Sequence, residues 1–150
     1  MRLVQQIAAM LAAIIAKRRA GHNEEAKHDI AATALRHIGL SLDAVKPLSP
    51  DALASYLETS GANRHFRSIL LAELLIQDAE ILEAEGQAQQ ALPGYVHAFC
   101  LLADSISILT GEEQKIYGPK LDMLAARLER LPSNPYTSDR ILAYRKATSG

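Results

Sequence analysis

Glu25-Ala-Lys-His28 has the Glu-x-x-His spacing by which helical di-iron bundles hold their metals, because residues three apart on a helix share a face. Glu24 with His28, and Glu25 with Asp29, are also one helical turn apart. Such a centre needs a second motif of the same kind and carboxylates from two further helices. No second Glu-x-x-His occurs in the chain. The segment therefore reads as the first turn of a helix, where acids meet the positive end of the macrodipole. No metal or other cofactor is expected. His22, His37, His65 and His97 are scattered over separate segments, none with Cys or carboxylate company at zinc-ligand spacing.

His97 and Cys100 are one short helical step apart. A Cys–His catalytic pair also needs a group to orient the base and an oxyanion hole, and neither can be identified. A lone Cys on an apolar helix reads as a buried small hydrophobe, and it can form no internal disulfide, so nothing points to an oxidising compartment. No glycine-rich loop follows a strand and no nucleophile elbow is present. The expectation is a protein that is not an enzyme and that works in the cytoplasm.

Three charged or apolar patterns suggest contacts instead. Glu73, Ile76, Glu80 and Glu83 recur at steps of three and four, placing them on one side of a helix. Lys17-Arg18-Arg19 is the one compact basic run. Three cations are too few for a nucleic-acid or lipid patch, and they suit the negative end of a helix. Ile7–Ala16 is an unbroken apolar run of ten residues, far below the roughly 20 that span a membrane. Its cations follow it, whereas an export signal would carry them in front. A buried core or interface helix is expected, with no membrane role.

The elements that must position these residues are helical. Hydrophobic residues make up 49% of the 150, drawn from Ala and Leu, with no Trp and 5% aromatics. Ala and Leu are strong helix formers, whereas strands favour β-branched and aromatic residues. The length suits one domain, residues 1–150, with a proper core. Net charge is −1, without the basic excess of a nucleic-acid binder. It is unevenly spread: the first fifty residues carry +3, the middle fifty −5 and the last fifty +1.

Periodicity and punctuation predict the order. A first helix runs from Arg2 to Arg19, ended by Gly21, and a second, capped by Asn23, reaches His37. Residues 39–49 are expected to be a loop. Ser49-Pro50 starts a short helix to about Glu58, and Ser60–Asn63 breaks it. A strongly periodic helix covers about 64–85, and another runs from Gln87 to about Leu109 with Pro93 in its first turns. Thr110-Gly-Glu-Glu113 has capping-box spacing and opens a helix to Leu131 with a break or kink at Gly118-Pro119. Residues 138–146 are expected to add a last turn or two.

Twice, 65 residues apart, a glycine is followed five residues later by an alanine: Gly21…Ala26 and Gly86…Ala91. Around the second copy stand Ala79, Leu82, Tyr95 and Ala98. The first has Ile14, Lys17, Ile30 and Thr33 in those places. This pattern resembles the tetratricopeptide helical hairpin, in which small residues let two antiparallel helices approach closely. Leu70–Ala103 carries most of the likeness, with Leu82 in place of the usual aromatic. The chain as a whole is similar to a group of small bacterial proteins to which no activity is attached. The resemblance implies an all-α bundle of six to seven helices in antiparallel hairpins, acting as a non-catalytic adaptor or scaffold that binds another protein or peptide. It also implies that Glu73, Ile76, Glu80 and Glu83 line a concave groove suited to a basic or amphipathic peptide. A regulatory bundle holding a small ligand or metal is the alternative. A homodimer through Ile7, Leu11 and Ile15 is expected as well, because a terminal helix without a polar outer face asks for a cover, and the +3 and −5 thirds of two copies would match.

Overall fold

The computed structural model describes residues 2–59, 64–129 and 135–149. Among them are eight α-helices and no strand: α1 (Arg2–Arg19), α2 (Asn23–His37), α3 (Leu42–Val45), α4 (Pro50–Glu58), α5 (Arg64–Ala84), α6 (Ala88–Ser105), α7 (Gly111–Glu129) and α8 (Pro135–Ser149). The expected Ser60–Asn63 break and Leu131 lie outside the described residues. A 3-10 turn, Ile106–Ile108, joins α6 to α7.

The two glycine turns are built alike. Gly21 (φ +83°) and Gly86 (φ +78°) lie in the left-handed region that suits a residue without Cβ. At the first, the amides of Gly21 and His22 donate to the carbonyls of Arg18 and Lys17 at 3.1 and 2.8 Å. At the second, those of Gly86 and Gln87 donate to Glu83 and Leu82 at 3.0 and 2.8 Å. Both are Schellman closures, so α1–α2 and α5–α6 are hairpins. Ala26, Ala91 and Ala98 are buried at the seams. Closest approach falls at Gly94, where an added Cβ would sit 3.4 Å from Ala79 Cβ and from the Leu75 carbonyl.

The α5–α6 pair is the centre. Every residue from Ser68 to Ile76 on α5 is buried, because neighbours cover it on all sides: α1 and α2 pack on α5, α7 and α8 on α6, and α4 on both. Burial also explains the composition of α6. The Ala88–Ile108 segment is long and apolar enough to cross a membrane, and most of it is buried in the protein.

Four local expectations are corrected. Asn23 is the first residue of α2 and His22 precedes it without a side-chain cap. The 39–49 stretch contains α3, capped by Ser41 Oγ accepting from the Ala44 amide at 3.2 Å. Helix α7 runs through Gly118-Pro119 unbroken. Pro119 is exposed, so the carbonyl it leaves without a helical partner faces water while Tyr117, Leu121 and Leu124 continue the buried stripe. Finally, α8 is a full helix rather than a turn or two, held by Tyr144, whose hydroxyl donates to the Gly118 carbonyl at 3.1 Å and bonds Asp122. The Ser49 cap and the Thr110–Glu113 capping box form as read, with bonds of 3.0, 2.9 and 3.2 Å.

Candidate functional site

The acidic stripe on α5 runs from buried Glu73 and Ile76 through half-buried Glu80 to exposed Glu83. Glu73 is 5% exposed and Ile76 4%. Each acid is held by a cation from a flanking helix. Lys120 of α7 lies 2.6 Å from Glu73 Oε1, Arg18 of α1 lies 2.8 Å from Glu80, and Arg127 of α7 lies 2.6 Å from Glu83. Tyr95 of α6 joins the last pair, donating to Glu83 with the Arg127 guanidinium 4.6 Å from its ring centre. Burial first, and Glu83 second, push the Tyr95 hydroxyl well above its ordinary pKa, so it stays a donor. The repeated acids of α5 therefore lock α1 and α7 in place, and a basic peptide would have to break those pairs to bind.

The first helix is likewise covered by its own chain. Ile7 and Leu11 are 1% and 3% exposed, and Ile14 is 1%. Ile15 is half-buried. Of the expected dimer face through Ile7, Leu11 and Ile15, the first two members are buried in the core of the single chain. What α1 shows to solvent is Gln5, Gln6, Ala8, Ala9, Ala12, Ala13, Ala16 and Arg19.

The chemistry-bearing residues stay apart. Glu25 and His28 are exposed on α2, with His22 Nδ1 3.6 Å from Glu25, and no group of three metal-ligating side chains exists among the described residues. Cys100 is buried and its thiol is raised to about 11 by burial, so it is not a thiolate. His97 is buried too. Its Nε2 is 3.3 Å from the Lys46 carbonyl while Nδ1 has no partner; burial lowers its pKa. Beside it the Lys46 ammonium lies 2.7 Å from Asp78 Oδ2, though not in hydrogen-bonding alignment. These two contacts fasten the α3–α4 segment onto α6 and α5.

Two concavities bear on function. The larger, about 700 Å³, opens between α1, α2 and the start of α5. Leu3, Met10 and Phe66 form its apolar floor, Ala9 its wall, and Arg36 and Arg67 its charge. The position of Arg67 follows from helix capping: its Nε donates to the His37 carbonyl at 2.9 Å and its Nη2 to Ile38, whose oxygen also accepts from Tyr56 at 3.0 Å. This closes the end of α2 at Gly39, where φ is +86° and a Cβ would meet the Tyr56 hydroxyl at 2.9 Å. Sequence reading missed this cleft because its residues come from three segments; Phe66 on an otherwise aliphatic helix was the only signal. The smaller concavity, about 210 Å³, lies between α4, α5 and the end of α6. The nearly buried Ser68 and Ser105 line it, with Arg64, His65, Glu58 and Asp104.

Comparison with protein-family models, with curated proteins and with solved structures finds no match to the chain.

Proposed function

We propose that the chain is a non-catalytic protein-interaction module, an adaptor or scaffold whose hairpins stack in a tetratricopeptide-like arrangement. Two observations support the arrangement. The glycine turns at Gly21 and Gly86 close alike, and the Lys120–Glu73 and Arg127–Glu83 pairs run α7 parallel to α5. One observation carries the function: the broad cleft at the α1–α2–α5 seam presents apolar surface beside cations. Cys100, buried and the one cysteine of the sequence, can form no internal disulfide, which fits a reducing compartment, taken here as the cytoplasm. The binding partner in this reading is a protein rather than nucleic acid or membrane. Self-association would have to use the outer alanines and Ile15, since Ile7 and Leu11 are committed to the core. Affinity capture with the full chain from native cell extract is the test: a protein retained in stoichiometric amount is expected, and none retained would refute the reading.

A second reading, a small-ligand regulatory bundle, rests on the pocket that Ser68 and Ser105 line. A metabolite screen by thermal shift, with Ser105→Val as control, separates it: a stabilising hit lost in that variant favours the pocket over the cleft.

A further inference from the structure

Resting on the interaction-module reading, we infer that the α1–α2–α5 cleft takes one class of partner: an acidic amphipathic helix from another protein. The cleft continues into a second hollow of about 300 Å³ along the α1–α2 seam, sharing Met10, Arg36 and His37 with it. Together they extend from Leu3 to Ile14 on α1, about 16 Å at 1.5 Å per residue, or roughly three turns of a docked helix. Ala9, Ala13 and Ala32 border this path. Their small side chains let a second backbone come close, while Leu3, Met10 and Phe66 receive apolar residues spaced three and four apart.

Charge selects the partner. The ionisable side chains lining the larger cleft are Arg36, His37 and Arg67, with no acid among them. The one acid in the adjoining hollow, Asp29, is held by Lys17 at 2.5 Å. A basic helix would meet like charge at Arg36 and Arg67, and an acidic one would be steered to them. A second copy of this chain fits poorly. Among the described residues its most exposed large apolar side chain, Leu142 (69%), stands on α8 between Asp139 and the pair Arg145 and Lys146, a mixed-charge surface rather than an acidic one. The acids of α5 are already paired within the chain.

Fluorescence anisotropy with the intact chain tests this. The probes are labelled peptides about 12 residues long, with leucines at three- and four-residue steps and either glutamates or lysines beside them. The glutamate peptide is expected to bind at least about tenfold more tightly than the lysine peptide, and more weakly as salt rises. Arg36→Glu on the exposed end of α2 should remove that preference with circular dichroism unchanged, and Ala9→Trp should weaken both peptides by filling the wall. Equal binding of the two peptides, no binding, or a glutamate peptide indifferent to Arg36→Glu would overturn the inference. A concentration-dependent dimer abolished by Arg36→Glu would also overturn it, by seating a second copy in the cleft. The broader reading fails separately: it survives if a captured partner is retained by Arg36→Glu, through another face, and falls only if no partner is captured at all.

Discussion

His97 ties the protein's stability to pH through its burial. It is buried with Nε2 on the Lys46 carbonyl and Nδ1 unpaired, and burial holds its pKa below the ordinary 6.5. The unfolded chain then binds a proton more readily than the folded one. Stability from this group is complete above pH 6.5 and is lost as pH falls below it, with a slope of at most about 1.4 kcal/mol per pH unit. Urea denaturation at pH 7.5 and 5.5 should show this loss, and His97→Gln should reduce it; His65, also lowered by burial and by Arg64, acts in the same direction. Glu73 offers a second test. Replacing it with Gln leaves Lys120 without its counter-ion, but Lys120 is 37% exposed and water offsets part of the loss. A double-mutant cycle with Lys120→Met should give a coupling of about 1–2 kcal/mol. Zero coupling would mean that the α5 acids are not locked in place. The periodicity of Glu73, Glu80 and Glu83 was legible in the sequence, but a periodic acid looks the same whether it faces water or a lysine 47 positions away.

At the scale of elements, what could be read was what is local. Gly21, Gly86, Ser49 and the Thr110–Glu113 box act within a few residues of themselves, so their types and spacing state their roles. Helix α8 depends on Tyr144 reaching α7, and the continuity of α7 depends on which face Pro119 takes, so neither could be read locally. Gly94 also escaped notice, because its role is set by Ala79 and Leu75 across the hairpin. Its surroundings admit a methyl group at ordinary contact distance and little more. Gly94→Ala is expected to be neutral or stabilising by up to about 1 kcal/mol through helix propensity. Gly94→Leu should overpack the α5–α6 seam and cost about 1–3 kcal/mol; thermal denaturation of the two variants compares them directly. Gly86→Ala, forced to hold φ +78°, should cost about 1–2 kcal/mol although nothing crowds the position.

For the molecule as a whole, the uneven charge along the chain is resolved within one copy. Lys27 pairs with Glu85 at 2.5 Å, Arg18 with Glu80, Lys120 with Glu73 and Arg127 with Glu83. The acidic middle third is thus clasped by the basic residues of the two outer thirds, and the attraction that would have matched two subunits is already used. The all-helical class and the hairpin turns were legible because they follow from composition and glycine placement. The seam that α1, α2 and α5 leave open was not, since it exists only once Leu3, Met10, Arg36 and Phe66 are brought together. The claim that this seam is the working face is tested most directly by site-specific photocrosslinking in native cell extract. A photoreactive residue at Ala9 should yield one discrete protein adduct, lost on Arg36→Glu, while the same residue at the exposed Met123 of α7 yields none. No adduct at Ala9, or the same adducts from both positions, would contradict the account.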